Sequence, residues 1–187
     1  MAKDVQYESK TRLLDTRQMR RILRRMAGQI VEQNHGTDRL MLVGIRTRGV
    51  PLADRLAREI EAMEGVAVAR GTLDITLYRD DLSTIAPQPV VKETRFAETV
   101  EGQVVVLCDD VLYTGRTIRA ALDALLDYGR PRAVRLAVLV DRGHREVPIQ
   151  ADVVGRKLET EGDDVVSVCF AESDDEDRVD LLHGVSV

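Results

Sequence analysis

The alternation of apolar, strand-like segments with stretches of helical periodicity restricts the fold of this chain more than any other feature. Apolar runs with the length and composition of buried strands occupy residues 40–45, 104–108, 133–140 and 165–171. Apolar residues recur at helical spacing in residues 16–34, 51–64 and 116–128. Strands that are regularly followed by helices are typical of a parallel sheet covered on both faces. We therefore predict an α/β fold with a central parallel sheet flanked by helices.

The predicted helix at 16–34 carries clear start and stop signals. Asp15 and Gln18 have the spacing of a capping box, in which each side chain bonds the other residue's backbone N–H. Gly36 follows the last periodic residue, where a glycine commonly ends a helix. We expect this helix to turn its apolar stripe to the core and its arginines to solvent.

A long loop is predicted between two strand-like segments in the first half of the chain. Residues 71–78 alternate between apolar and polar side chains, which predicts a half-buried strand. Residues 79–89 then break all periodicity, and residues 90–96 can return as an antiparallel partner. A hairpin loop of this length usually has a function.

Length, composition and charge narrow the class of protein. With 187 residues and no linker or repeat, we expect a single domain over residues 1–187, with a poorly characterised extension at 1–14 and an acidic tail at 172–187. No apolar run approaches the roughly 20 residues that cross a bilayer. Residues 1–14 also lack the apolar centre of a signal peptide, so we expect a cytoplasmic protein without a membrane partner. The net charge is −5, but residues 1–25 carry eight Lys/Arg against three Asp/Glu, which permits one basic face.

An acidic pair followed by a T-G-x-T turn is the most informative motif. Asp109 and Asp110 end an apolar strand, and residues 114–117 turn directly into a helix. The backbone N–H groups of that turn can converge on one anion, favoured by the positive end of the helix, and Gly115 permits a close approach. The adjacent carboxylates can bind hydroxyl groups or a group coordinated by magnesium. Together these features predict a site for a sugar phosphate.

The same motif carries a family resemblance. The string VVLCDDVLYTGRT resembles the phosphoribosyl pyrophosphate (PRPP) signature of type I phosphoribosyltransferases, with Cys108 where the family often has valine or isoleucine. Three further sequence blocks make the resemblance more specific: LVGIRTRGVPLADRLA, GTLDITLYRDDLS and LVDRGHREVPIQADVVGRKL. Together the four blocks resemble the bifunctional pyrimidine operon attenuators that are also uracil phosphoribosyltransferases. The resemblance implies the type I fold, in which the parallel sheet carries a small hood and a β-hairpin lid loop.

The resemblance also implies roles for individual residues and a Mg²⁺ cofactor. The catalytic residues would be Asp109, Asp110 and Arg79, with Mg²⁺ held by the two aspartates indirectly, through ribose hydroxyls or water. The 5′-phosphate of PRPP would be bound by Val111, Leu112, Tyr113, Thr114, Gly115, Arg116 and Thr117. The pyrophosphate would be bound by Arg46, Thr47, Arg48 and Gly49, and the lid loop would contribute Asp80 and Asp81. The base would be bound largely by main-chain groups near Asp141, Arg142, Val153 and Val154, with Arg142 as the best side-chain candidate.

The implied activity is the synthesis of uridine monophosphate (UMP) from uracil and PRPP, together with UMP-dependent binding of pyrimidine operon mRNA. Candidate RNA-binding residues are Arg17, Arg20, Arg21, Arg24, Arg25, Arg145, Arg156 and Lys157. The family also implies a homodimer or a larger assembly. Two other readings stay open: a regulator that binds RNA and keeps the pocket as a nucleotide sensor, and a purine-salvage phosphoribosyltransferase.

Overall fold

The computed structural model describes the backbone of residues 5–80 and 92–186, and the side chains within 10–80 and 92–184. Its helices are α1 (Thr16–Asn34), α2 (Gly49–Glu64) and α3 (Arg116–Leu126). Its strands are β1 (Val5–Leu14), β2 (Leu40–Ile45), β3 (Ala69–Leu73), β4 (Arg95–Phe96), β5 (Val104–Leu112), β6 (Ala133–Asp141), β7 (Val153–Lys157), β8 (Val165–Cys169) and β9 (Arg178–Ser186). None of the described helices is long and apolar enough to span a membrane.

A six-stranded sheet in the order β4-β3-β2-β5-β6-β7 forms the centre of the molecule. All of its pairs are parallel except β3 with β4 at one edge. Helices α1 and α2 pack on one face, around Met26, Leu52 and Leu56, and α3 packs on the other through Ile118 and Leu125. The predicted α/β fold with a parallel sheet covered on both faces is therefore confirmed.

A second sheet of three antiparallel strands, in the order β1-β9-β8, is formed by both ends of the chain. We call this sheet the hood. The segments that the sequence treated as an extension and a tail pair with each other here, with Lys10 opposite Leu182. Asp180, which is 1% exposed, forms an ion pair with Lys10, with 2.8 Å between Asp180 Oδ2 and Lys10 Nζ. The predicted strand at 165–171 also belongs to the hood, because β8 pairs with β9 and not with the parallel sheet.

Helix α1 begins and ends where its sequence signals place it. The Asp15 carboxylate accepts a bond from Gln18 N at 2.7 Å, and Gln18 Oε1 accepts one from Asp15 N at 2.9 Å. At the other end, Gly36 N donates to Val31 O at 3.0 Å, and His35 takes the left-handed conformation with φ 57°. The predicted capping box is confirmed.

Three predicted boundaries were wrong. Strand β5 extends to Leu112, because its pairing with β6 continues to the Leu112–Asp141 position, so the acidic pair lies inside the strand. Strand β3 ends at Leu73, because the Asp74 carboxylate accepts a bond from Thr76 N at 2.9 Å and starts a short 3-10 turn over Thr76–Tyr78. Within the described part of the predicted antiparallel return, residues 92–96, the two residues of β4 pair with β3, and most of the predicted loop lies outside the described residues.

Candidate active site

The turn between β5 and α3 encloses a cavity of about 260 Å³, lined by residues 111–118 together with Arg79 and Asp80. Gly115 has φ 89°, a conformation that side chains with a Cβ rarely adopt. A Cβ there would also lie 2.7 Å from Val147 Cγ2. The turn is also bonded to the segment after β6, since Thr114 O accepts a hydrogen bond from Glu146 N at 2.9 Å. The structure therefore brings the whole predicted 5′-phosphate segment around one cavity at the start of a helix, where an anion is favoured.

Asp109 and Asp110 lie beside this cavity with their carboxylates fixed by the backbone. Asp109 Oδ1 accepts a bond from Asp110 N at 3.0 Å, and Asp110 Oδ1 accepts one from Val111 N at 3.0 Å. Burial raises the pKa of both carboxyl groups, and the neighbouring negative charge of Asp110 raises the pKa of Asp109 further. The positive charge of Arg79 acts in the opposite direction on Asp109. A buried carboxylate beside a half-buried one favours a ligand that brings cations or hydroxyl donors.

The predicted pyrophosphate loop, residues 46–49, packs against the end of β5. Its Arg46–Thr47 peptide bond is cis. A Cβ on Gly49 would lie 2.1 Å from Cys108 O, so the loop backbone touches the strand one residue before Asp109. Arg46 Nε donates to Glu93 O at 3.1 Å, toward β4. The loop and the acidic pair are therefore neighbours in the structure.

Arg48 of the same loop points to a partner that the sequence did not predict. Its Nη1 lies 2.7 Å from Asp174 Oδ2, and its Nη2 lies 3.4 Å from Asp174 Oδ1. Asp174 belongs to the turn that follows β8 and is 126 residues away along the chain. No local sequence pattern could have paired these two residues.

The first residues of the predicted lid are anchored on α3. Asp80 Oδ2 lies 2.7 Å from Arg116 Nη1, and Arg119 Nη2 donates to Tyr78 O at 3.1 Å. Arg79 lines the same cavity as the phosphate turn. Asp81, the other predicted lid carboxylate, lies outside the described residues.

Arg142, predicted as a base-binding side chain, is bonded to the neighbouring 160–164 segment. It is 5% exposed, and its three nitrogens donate to Thr160 Oγ1 at 3.2 Å, Glu161 O at 2.9 Å and Asp164 O at 2.6 Å. Its guanidinium also lies 4.0 Å from the centre of the Tyr113 ring. Arg142 therefore links the phosphate turn to the 160–164 segment.

Of the other predicted base-binding residues, Asp141 ends β6, whereas Val153 and Val154 begin β7. Asp141 accepts bonds from Gly143 N and Arg145, Val153 is buried in the core, and Val154 is half-buried. A cavity of about 570 Å³ opens beside Asp141 and is also lined by Gly143, Lys157, Leu158 and Glu159. The sequence missed Leu158 and Glu159, because it did not predict strand β7, which places them.

The predicted RNA-binding residues fall into two groups. Arg17, Arg20, Arg21 and Arg24 are exposed on α1, and Lys157 is exposed at the end of β7. The other three side chains bond backbone carbonyls: Arg25 bonds Val154 O and Gly155 O, Arg145 bonds Tyr113 O, and Arg156 bonds Leu13 O. The four arginines of α1 are thus the largest exposed group of this set, and Lys157 is exposed apart from them.

Known proteins share this sequence over most of its length. The phosphoribosyl transferase domain family matches residues 9–176. A protein of Thermus aquaticus named bifunctional protein PyrR is 59% identical over 172 residues, which cover 92% of this chain and 95% of the relative. Proteins with the same name from Pelotomaculum thermopropionicum and Deinococcus radiodurans are 57% and 54% identical over 173 residues, covering 92% of this chain and 96% and 94% of the relatives.

Solved structures agree with the fold. A hypoxanthine phosphoribosyl transferase of Trypanosoma cruzi superimposes with a TM-score of 0.71 at 18% identity, covering 95% of this chain and 94% of that one. A hypoxanthine phosphoribosyltransferase of Staphylococcus aureus gives a TM-score of 0.64 at 19% identity, covering 83% and 80%. At these identities the similarity shows a shared fold and does not indicate which base this chain uses as a substrate. The sequence relatives are far closer, and the chain belongs to the phosphoribosyl transferase domain family and, within it, to the group of proteins named bifunctional protein PyrR.

Proposed function

We propose that the chain is a uracil phosphoribosyltransferase, which makes UMP and pyrophosphate from uracil and PRPP, and that it binds pyrimidine operon mRNA when UMP is bound. The observation that carries the enzymatic half is the cavity at the start of α3 with the acidic pair beside it. A phosphate monoester and a ribose are the two halves of one ligand that such a site can hold. The names of the close relatives support the same conclusion.

In this proposal the 5′-phosphate is held by main-chain N–H groups of residues 114–117. The hydroxyls of Thr114 and Thr117 add donors, and the helix end adds a favourable electrostatic potential. Arg116 is already paired with Asp80 and Glu146, so its side chain shapes the rim of the cavity. Binding at this point fixes the sugar and directs its ribose hydroxyls to the acidic pair.

The acidic pair would hold the ribose hydroxyls, and Mg²⁺ would share that position. Two carboxylates suit a hard cation that prefers oxygen ligands. Among the described residues, no cluster of three or more Asp, Glu, His or Cys side chains could hold a metal by itself. Asp109 and Asp110 therefore fit a Mg²⁺ ion that is carried by the substrate and contacts them through ribose hydroxyls or water. When bound, the ion neutralises charge on the departing pyrophosphate.

The pyrophosphate would lie on the 46–49 loop, where backbone amides and arginines suit a concentrated negative charge. Departure of pyrophosphate leaves positive charge on the sugar carbon, which water would capture, so the site must exclude water during the reaction. Arg79 and Asp80 lead into the segment that we assign to closure. Catalysis is then mainly positioning and electrostatic stabilisation, and neither aspartate needs to act as a base.

Uracil would bind beside the carboxyl ends of β6 and β7, in the cavity that Asp141, Lys157 and Leu158 line. The backbone groups there offer a fixed pattern of donors and acceptors. The direct test is incubation of the protein with PRPP, Mg²⁺ and labelled uracil, hypoxanthine or guanine. We expect turnover of uracil alone. Turnover of a purine without turnover of uracil would show that the protein is a purine-salvage enzyme.

The regulatory half of the proposal depends on the exposed arginines of α1, which can follow an RNA backbone. We expect binding to operon leader RNA to strengthen with UMP and to weaken steeply with salt. RNA binding without any turnover of uracil would favour a regulator that uses the pocket only as a nucleotide sensor. We also propose that the protein forms a homodimer or a larger assembly, as sedimentation would test.

A further inference from the structure

The guanidinium of Arg48 is held by a carboxylate from a distant part of the chain. It makes the two-point contact with Asp174, with 38% of the Arg48 side chain and 22% of the Asp174 side chain exposed. Its positive charge also acts on Asp110 of the proposed sugar site, where it lowers the pKa of the carboxyl against the larger effect of burial. Arg48 therefore makes its direct contact with Asp174 and interacts with Asp110 through its charge.

The carboxylate of Asp174 is itself held in place. Its Oδ2 accepts bonds from Phe170 N at 2.9 Å and from Ser173 Oγ at 3.1 Å, within the turn after β8. The backbone of the same turn is closed by the bond from Asp174 N to Phe170 O, at 2.7 Å. The bond to Arg48, followed by the bond from Phe170 N, lowers the pKa of Asp174 to about 2, so the group is ionised at neutral pH. Asp174 is thus a fixed negative charge.

A guanidinium has five N–H groups, and the two contacts with Asp174 use one each of Nη1 and Nη2. The other N–H groups are directed away from the Asp174 carboxylate, and the backbone of the loop is fixed by the contact between Gly49 and Cys108 O. An arginine anchored in this way can bind a phosphate with its remaining N–H groups while it keeps its contact with Asp174. The planar guanidinium fixes the direction of these hydrogen bonds.

We propose that Asp174 is a positioning residue of the pyrophosphate site: its two-point contact fixes the guanidinium of Arg48, so that the remaining N–H groups of Arg48 stay available to the pyrophosphate group of the donor. Without this anchor, the guanidinium would no longer be held in one orientation, and pyrophosphate would have to order it on binding. This inference rests on the assignment of Arg48 to pyrophosphate in the proposed function. It adds a residue of the turn after β8, outside all four sequence blocks that resemble the family.

The test is Asp174→Asn, because asparagine keeps the turn and changes only the contact with Arg48. Its amide oxygen, in place of Oδ2, can still accept the bonds from Phe170 N, Ser173 Oγ and Arg48 Nη1, so the variant loses the negative charge and the Nη2 contact. Its NH₂ group then faces Nη2 of Arg48, where two donors meet. Binding of magnesium pyrophosphate, measured by calorimetry, should weaken about tenfold, as expected when one partner of a close charge pair is removed. The KM for PRPP should rise by a similar factor, while the KM for uracil stays unchanged.

Two matched variants separate positioning from damage to the turn. Asp175→Asn removes the next carboxylate, which is exposed, and Ser173→Ala removes one bond of the turn without touching Arg48. Both should bind magnesium pyrophosphate as the parent does. Thermal unfolding of all three variants shows whether the turn is intact. In the double variant Arg48→Gln/Asp174→Asn, the loss should equal that of Arg48→Gln alone, because Asp174 acts through Arg48.

The outcomes are separable. Unchanged or tighter pyrophosphate binding by Asp174→Asn would overturn the inference, and tighter binding would mean that Asp174 competes with pyrophosphate for Arg48. Additive losses in the double variant would also overturn it. If Arg48→Gln itself leaves binding unchanged, both the inference and the assignment of Arg48 fall. Because calorimetry needs no turnover, a protein that binds pyrophosphate as predicted but makes no UMP would contradict only the proposed function.

Discussion

Replacement of Gly49 by alanine tests the contact that joins the pyrophosphate loop to β5. The new Cβ would lie 2.1 Å from Cys108 O and 3.1 Å from Cys108 C, both of them backbone atoms. Because ordinary contact begins at 3.4 Å, the loop and the strand must separate by about 1.3 Å. Neither partner is the end of a flexible side chain, so the strain cannot be relieved by a rotation.

Two opposing effects decide the change in stability. Gly49 is the first residue of α2, where alanine gains at most about 1 kcal/mol over glycine. Overpacking against a rigid neighbour costs about 1–3 kcal/mol, and more when backbone must move. We expect a net loss of about 2 kcal/mol in the free energy of unfolding, or about 4–8 °C in Tm for a chain of this length. Since a misplacement of about 1 Å at a reacting centre costs about 100-fold, kcat/KM for UMP synthesis should fall by that order.

The matched control is Gly28→Ala in the middle of α1, where a Cβ meets nothing within 4 Å. It should stabilise the protein by about 0.5–1 kcal/mol, the ordinary gain of alanine over glycine in a helix, and leave UMP synthesis unchanged. Urea unfolding and steady-state kinetics of both variants provide the comparison. A Gly49→Ala protein as stable and as active as the parent would refute the reasoning that the loop is fixed by this contact.

Three further predictions address the RNA surface, the 160–164 segment and the response to pH. Replacing the exposed α1 residues Arg17, Arg20, Arg21 and Arg24 by glutamine should weaken RNA binding and leave UMP synthesis unchanged. The slope of log affinity against log salt should fall by about 3. An unaltered slope in filter-binding measurements would show that α1 does not contact the RNA. Arg142→Met keeps the stem but loses three charge-assisted bonds, so urea unfolding should show a loss of about 3 kcal/mol, and an unchanged midpoint would contradict the linking role of Arg142. The Asp174 carboxyl has a pKa of about 2 in the folded protein against 3.8 ordinarily, so the stability that it contributes is present above pH 3.8 and is lost as the pH falls toward 2. The stability difference between the parent and Asp174→Asn should therefore shrink across that window in acid titrations followed by circular dichroism, and a difference that persists at pH 2 would mean that it does not come from this charge.

The parts of the fold that the sequence predicts well are those with local signals. Apolar runs identify β2 and the buried half of β5, and the capping box at Asp15 identifies the start of α1. Strand β5 continues through two aspartates because its parallel neighbour β6 goes on pairing, which is a tertiary effect with no local pattern. Strands β1 and β9 were missed for a similar reason. Their charged residues become compatible with a sheet only when the two ends of the chain meet, as Arg12 and Asp180 do at 3.4 Å.

The candidate site divides in the same way. The phosphate turn and the acidic pair are contiguous in sequence, so their spacing predicts their chemistry. The bonding partners of the arginines are distant in sequence: Arg48 bonds Asp174, which is 126 residues away, and Arg142 bonds Asp164, which is 22 residues away. A sequence shows that an arginine is present near a site, but the distant acceptors decide whether its guanidinium faces the ligand or the protein.

The most direct test of the central claim is a crystal structure of the protein with PRPP and Mg²⁺. The account predicts that the 5′-phosphate lies against the backbone N–H groups of residues 114–117, with the ribose hydroxyls on Asp109 and Asp110. Donor sugar bound elsewhere, with the turn before α3 left without phosphate, would contradict it.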